Sequence, residues 1–117
     1  MIDSKVDSSG KMYLHPKFID FGLSKVLLHG QTSTDRLGTL VYCSPEIILG
    51  LKHTHLTDVW SLGVVLHILL SGIMPFLTED KTETKRNIVQ GKHALSHPCF
   101  TRVTKAAKDL LTKMLRT

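Results

Sequence analysis

The stretch from Val59 to Leu77 contains no Asp, Glu, Lys or Arg, and a folded chain has few places to put such a run. One is a bilayer, where a spanning helix needs about 20 predominantly apolar residues. Gly63, His67, Gly72 and Pro75 interrupt the run, and a stop at Gly72 leaves a helix too short to cross. A core helix remains. Thr57 or Asp58 is its candidate N-cap and Val59–Ser71 its body, apolar on nearly every face and therefore expected to be buried on all sides. The rest of the chain has to wrap around that spine.

With 117 residues, the chain is expected to form one compact domain around a single core, since domains of this size bury roughly two-thirds of the surface their unfolded chains expose. A two-domain enzyme does not fit. The 42% hydrophobic and 21% charged content is ordinary for a globular domain and argues against long disorder. The net charge of +5 is spread over cations such as Lys5, Lys25, Lys52, Lys85, Lys108 and Arg116 rather than gathered into a run. The few aromatics sit mostly in apolar settings, so a nucleic-acid partner is not expected. The start, Met1-Ile2-Asp3-Ser4-Lys5, lacks the apolar core of a secretory signal, and Cys43 and Cys99 are solitary. Both features point to a reducing compartment, cytoplasmic or nuclear rather than secreted, with free thiols. His93, His97 and Cys99 lack the ligand spacing of a zinc site and are read as surface residues, with no metal assigned to them.

Asp7-Ser8-Ser9-Gly10 is a natural reversal between two short extended pieces and predicts a hairpin whose second arm includes Pro16-Lys17-Phe18-Ile19. Asp20-Phe21-Gly22 then ends the strand, and Gly30 to Asp35 reads as a surface loop. A short helix is expected after Ser44 as N-cap, with Pro45 at its first position, Glu46 at its positive end and Gly50 closing it. A more polar helix from Glu83 to Gln90 ends at Gly91 in the C′ position. Val103, Ala106, Ala107, Leu110, Leu111, Met114 and Leu115 recur at offsets of three and four, which marks one face of a last helix. That pattern is still running at Thr117, so the structural unit is expected to continue past it. The fold class is mainly α with a short N-terminal β-hairpin, without internal repeats.

Three motifs stand in a fixed order: Asp20-Phe21-Gly22, Ser44-Pro45-Glu46 and Asp58-Val59-Trp60-Ser61-Leu62-Gly63, with Gly38-Thr39 and Tyr42 between the first two. Each alone is weak, whereas the ordered set resembles a Ser/Thr protein kinase catalytic domain. Phe21-Gly22-Leu23-Ser24, Leu66-His67-Ile68-Leu69-Leu70-Ser71-Gly72 and Ala107-Lys108-Asp109-Leu110-Leu111 resemble in particular the calcium/calmodulin-dependent group, including its plant and protist calcium-dependent members. The resemblance covers essentially the whole chain. It implies a C-terminal-lobe fragment of the protein kinase α+β fold: a partial kinase domain over 1–117, an activation segment over 20–46 and lobe helices over 57–117.

By that resemblance, Asp20 is the carboxylate that ligates the magnesium bridging the ATP phosphates, a task for a hard anionic oxygen; the plainer alternative is a capping aspartate. Phe21 is implied to pack beneath the nucleotide site, and Gly22 to let the segment change conformation. Thr32, Ser33 and Thr34 are phosphorylation candidates, or simply the hydroxyls of an exposed loop. Asp35, three residues before Gly38, stands where many relatives carry the phosphorylated residue and resembles members with a fixed acid there. Gly38 to Tyr42 is implied to form the platform for the acceptor residue of a protein substrate, with Thr39 near the catalytic base, against the alternative of a packed loop. Ser44 stands where the family usually has alanine, and Glu46 pairs in relatives with an arginine beyond Thr117. Asp58 in relatives holds backbone amides of the catalytic loop; it also suits a plain N-cap, and both can hold. Trp60, within the motif that ends at Gly63, and Phe76 are read as core or interface packing.

No glycine-rich phosphate loop, no strand lysine with its helix glutamate and no His-Arg-Asp loop precedes Asp20. The resemblance therefore implies a protein Ser/Thr kinase using ATP and Mg whose present residues alone transfer no phosphate, because positioning and charge stabilisation carry that reaction. The alternative is a truncated homologue acting as a protein-binding or scaffold module. Expected partners are a protein substrate, the missing kinase lobe or a regulatory protein, met through apolar surface that the absent lobe leaves open.

Overall fold

A computed structural model describes residues 2–93 and 95–117. Strands β1 (Ile2–Val6) and β2 (Met12–Pro16) pair antiparallel. Asp7 builds the reversal: its Oδ1 accepts from the Ser9 N–H at 2.8 Å and the Lys11 N–H at 3.1 Å, while Gly10 takes a φ of 81°. A turn held this way lets pairing resume at once, with Val6 opposite Met12. The second arm consequently lies earlier than expected. It ends at Pro16, opposite Ile2, and Lys17, Phe18 and Ile19 lie outside it; proline has no N–H with which to carry a ladder onward.

Helix α1 (Pro45–Leu49) follows the expected pattern, with Pro45 first, Glu46 in the opening turn and Gly50 closing it at φ 69°. Ser44 occupies the cap position without capping, since its Oγ is buried and has no partner among the described residues. Helix α2 (Leu56–Ser71) begins before Val59, and neither Thr57 nor Asp58 is its cap. The Thr54 hydroxyl accepts from the Leu56 N–H at 3.3 Å, and the Thr57 hydroxyl donates to the Thr54 carbonyl. Thr57 thus spends its hydroxyl on the preceding turn. Asp58 falls inside the first turn, where a carboxylate suits the positive end of the helix dipole. Gly72 stops the helix at φ 75°, and among the described residues no helix is long and apolar enough to cross a membrane.

Helix α3 (Lys81–Val89) starts two residues before Glu83 because Asp80 caps it, accepting from the Thr82 and Glu83 N–H groups at 2.9 and 3.3 Å. Gly91, at φ 58°, follows the C-cap Gln90 as expected. Helix α4 (Lys105–Met114) is capped by Thr104, whose hydroxyl accepts from the Ala107 N–H at 3.3 Å. It does not run on to Thr117: Leu115 leaves helical geometry and turns into the core, 2% exposed.

The core is built from Trp60, Val64, Phe76, Ile88, Phe100, Leu111 and Leu115. Trp60 and Phe76 stack with centroids 5.4 Å apart and planes 12° from parallel, which is the packing role expected of both. Gly63 lets α4 approach α2, since a Cβ there would lie 2.9 Å from Leu115 Cδ2 and 3.0 Å from Met114 Cβ. The expectation that α2 is buried on all sides is overturned. Its buried residues Thr57, Trp60, Gly63, Val64 and His67 recur at three and four, while Leu56, Leu62 and Leu69 are 63%, 50% and 77% exposed. Helix α4 and the 3-10 turns Leu40–Tyr42 and Pro98–Phe100 are its packing partners, and they leave those leucines uncovered. Hydropathy that is uniform around a helix cannot say which side its neighbours will reach.

Candidate functional site

Asp20 is a non-glycine residue in the left-handed region, with φ 62°, a conformation that aspartate tolerates by bonding locally. Its Oδ1 accepts from the Gly22 N–H at 3.3 Å, and the Ser24 hydroxyl donates to the Phe21 carbonyl at 2.6 Å. No helix begins here, so the carboxylate closes a turn rather than capping a helix. Asp20 and Gly22 are exposed, and Phe21 lies on the surface, 68% exposed. Among the described residues no three His, Cys, Asp or Glu side chains gather into a cation site. Magnesium is commonly held by one or two carboxylates while phosphate oxygens and water complete its octahedron. A single exposed carboxylate fits that mode and does not fit an all-protein cage.

The residues expected in the surface loop divide. Thr32, Thr34 and Asp35 are exposed, but Ser33 is 7% exposed. Its backbone exchanges two hydrogen bonds with His53, each 2.9 Å, and its hydroxyl donates to Asp35 Oδ2 at 2.8 Å. The same carboxylate oxygen receives Lys25 Nζ at 2.9 Å. These contacts, the Lys25 hydrogen bond first and the Ser33 hydroxyl second, hold the Asp35 carboxyl below the ordinary carboxylate range. Asp35 is therefore an anchoring anion for its own segment, and Ser33 is covered while Thr32 and Thr34 face solvent.

Gly38 to Tyr42 leads into α1. Thr39 is exposed, and its carbonyl accepts from the Tyr42 N–H at 3.0 Å and the Cys43 thiol at 3.4 Å. Ser61 on α2 donates to the Tyr42 carbonyl at 2.8 Å, tying this segment to the spine. Cys43 is buried, which pushes its thiol pKa up. Arg36 donates from Nη2 to the Leu49 carbonyl at 3.4 Å, and a Cβ on Gly50 would collide with its guanidinium. A cleft of about 250 Å3 opens beside these residues, with Arg36, Lys81 and Lys85 among its lining and Leu40, Ile47 and Ile48 as apolar wall.

Glu46 is half-buried and Asp58 exposed; among the described residues no cation forms an ion pair with either. The structure bonds Ser33 to Asp35 and His53, Arg36 to Leu49 at the end of α1, and Thr39 to Tyr42 and Cys43 before it, and leaves Asp20 to Ser24 as a separate exposed turn. Lys25, Arg36 and His53 organise the region, and sequence reasoning had not singled them out; their partners are 10, 13 and 20 residues away, beyond any local pattern. His67 was also missed. It is 3% exposed, its Nδ1 donates to the Ile73 carbonyl at 3.0 Å, and its Nε2 is buried without a partner among the described residues. Burial pushes its pKa down.

The family model for the protein kinase domain matches residues 2–117. The chain belongs to the protein kinase family. This kinase chain is 37% identical over 99 residues to calcium-dependent protein kinase 4 of Plasmodium berghei (strain Anka). It is 42% identical over 100 residues to calcium-dependent protein kinase 13 of Oryza sativa subsp. japonica, and 37% identical over 99 residues to Serine/threonine-protein kinase 17A of Oryctolagus cuniculus. Each alignment covers 85% of the kinase chain and, in that order, 19%, 18% and 25% of the relative's length. The resemblance to the calcium-dependent kinase group is thereby shown, and a two-stranded antiparallel sheet with four helices fits a portion of a kinase domain. ATP and Mg are the cofactors that protein kinases generally use.

Proposed function

We propose that this chain is the C-terminal-lobe portion of a protein Ser/Thr kinase, which transfers phosphate from Mg-ATP to a protein substrate, and that its 117 residues transfer none alone. In this reading 20–46 is the activation segment and 57–117 supplies the lobe helices. Asp20 holds magnesium together with water and nucleotide phosphates, and the metal supplies neutralising charge on those phosphates. The segment from Gly38 to Tyr42 meets the acceptor residue of the substrate, with Thr39 presented to it and Ser61 holding the segment against α2. Positioning and electrostatics carry phosphoryl transfer, and no phosphate-binding lysine or His-Arg-Asp base stands before Asp20 in these residues. A cytoplasmic or nuclear setting belongs to the same proposal, supported by the two free thiols of Cys43 and Cys99.

The observation that carries the reading is the bare apolar surface. Phe18, Phe21 and Leu23 are 86%, 68% and 65% exposed, and one side of α2 shows Leu62 and Leu69 to solvent. Folded domains seldom leave so much large apolar side chain uncovered, and where they do it marks a surface that meets other protein. Two measurements test the proposal. The purified chain with radiolabelled Mg-ATP and a Ser/Thr peptide array is expected to transfer no phosphate; transfer that Asp20→Asn abolishes would refute the claim of inactivity. The messenger upstream of Met1 is expected to carry an in-frame His-Arg-Asp loop, and a stop codon there in an intact messenger would sink the kinase reading.

A second reading, a truncated homologue that binds protein, is favoured by the cleft between the Arg36 to Cys43 segment and α3. It predicts a soluble chain with one cooperative thermal transition and a recoverable partner, whereas a molten, aggregating product counts against it.

A further inference from the structure

We infer that Cys99 is a covalent modification site for a short-chain 4-hydroxy-2-alkenal, an electrophile with an alkyl tail and a hydroxyl next to the carbon it offers to sulfur. The nucleophile and its base come from one turn. His97 caps the 3-10 turn Pro98–Phe100, its Nδ1 accepting from the Cys99 N–H at 3.4 Å. A nitrogen that accepts carries no proton of its own, so in the 3.0 Å contact between Nδ1 and the Cys99 sulfur the thiol is the donor. A thiol within hydrogen-bond reach of a base that a third group orients is the arrangement that activates a nucleophile. His97 is exposed and Cys99 half-buried, so a small molecule reaches both. Cys43 differs on each count, being buried and donating its thiol to the Thr39 carbonyl at 3.4 Å rather than to a base.

The surroundings of the thiol select the electrophile. Cys99 and His97 line a cavity of about 130 Å3 whose apolar wall is Ile73, Met74, Pro75 and Phe100. A water takes up about 30 Å3 in the liquid, so the space suits a short alkyl chain and is too small for a long one. His67 lines the same cavity. Its Nδ1 donates to the Ile73 carbonyl, so its Nε2 is a bare acceptor, buried and without a partner among the described residues. A buried acceptor left unmet is costly, which favours a ligand that brings a donor. The 4-hydroxy-2-alkenal supplies one group for each feature: a β-carbon for sulfur, a tail for the wall and a hydroxyl for Nε2. Hydrogen peroxide would leave the apolar wall unused. In the reaction the thiol proton passes to His97 Nδ1 as sulfur bonds to the β-carbon. The π electrons of the C=C bond move onto the α-carbon and carbonyl as an enolate, and His97 then returns the proton to the α-carbon. A thioether forms, the C=C bond becomes single, and the addition needs no oxidant and releases no leaving group.

The test follows adduct formation on the full chain by intact mass and peptide mapping, with trans-4-hydroxy-2-hexenal, trans-2-hexenal and propenal. Each rate is divided by that of free cysteine with the same aldehyde at the same pH. The hydroxyhexenal is expected to give one adduct, on Cys99, about tenfold faster than free cysteine. Hexenal, without the hydroxyl, is expected to be accelerated less, and propenal, without hydroxyl or tail, least. Concentrated urea is expected to abolish the acceleration, a comparison that needs no variant. His97→Gln is expected to cut the Cys99 rate at least about fivefold without moving the thermal transition. Met74→Glu, which sets a charge in the apolar wall, is expected to remove the advantage of hexenal over propenal. Labelling of Cys99 no faster than free cysteine overturns the inference, as does an adduct that forms first on Cys43. Equal acceleration of all three aldehydes overturns the assigned ligand and leaves only a reactive thiol. An acceleration that survives urea, or that His97→Gln leaves unchanged, overturns the site built from His97 and the cavity.

Discussion

Replacing Gly63 by alanine asks whether α4 really seats against α2, and the sign of the answer decides. In an unobstructed helix interior, glycine to alanine stabilises by about 0.8–1 kcal/mol through helix propensity. Here the new Cβ would stand 2.9 Å from Leu115 Cδ2, 3.0 Å from Met114 Cβ and 3.2 Å from Leu115 Cγ. Leu115 is 2% exposed and has little room to swing away, so the insertion overpacks a filled core at a cost of about 1–3 kcal/mol. The net expectation is a loss of about 1 kcal/mol, seen in urea as a midpoint lowered by about 0.5 M for a slope near 2 kcal/mol per M. Leu115→Ala removes two of the three close atoms, Cδ2 and Cγ, and leaves Met114 Cβ, so the double variant is expected to lose less than the sum of the singles, with a coupling of about 1 kcal/mol. A Gly63→Ala protein more stable than the parent by the propensity increment, with additive double-variant behaviour, would refute the packing of α4 on α2 described here.

Three further outcomes follow from the same structure. Asp80→Ala, which strips the acceptor from the Thr82 and Glu83 N–H groups, is expected to cost about 1 kcal/mol in urea unfolding, and an unchanged midpoint would remove the cap that starts α3. Cys99, half-buried with its sulfur 3.0 Å from His97 Nδ1, is expected to react with an aromatic disulfide reagent well before Cys43, whose buried thiol is held protonated; Cys99→Ser should remove the fast phase and Cys43→Ser should spare it. His67 is buried and its pKa lies below the imidazole value of 6.5. The unfolded chain therefore takes up this proton first, and the stability it affects is full above about pH 6.5 and falls as pH drops below that. Urea midpoints measured from pH 8 to pH 5 are expected to decline less steeply in His67→Gln, and identical slopes would exclude His67 as a source of the decline.

Local chemistry was legible in the sequence wherever a single turn of backbone determines the outcome. Pro45, Glu46 and Gly50 delimit α1, and Gly72 and Gly91 terminate α2 and α3, because each acts through its own φ or through a helix end within a few residues. Reading failed at two helix starts: the Thr54 hydroxyl rather than Thr57 or Asp58 accepts the Leu56 N–H that opens α2, and α3 begins at Lys81 behind the Asp80 cap rather than at Glu83. The hairpin's second arm shifted for a similar reason, since the bonds of Asp7 set the register that Pro16 then ends.

The motif order from Asp20 to Gly63 sufficed by itself to name the kinase family, because residue types at fixed spacing survive without coordinates. What only the tertiary structure decided is which of those residues meet. Ser33 is covered by Asp35 and His53, Arg36 is pinned above Gly50, and α2 shows half its apolar circumference to solvent. A side chain's type limits what it can bond. Its burial and partners come from chain segments tens of residues away, and only packing brings those together.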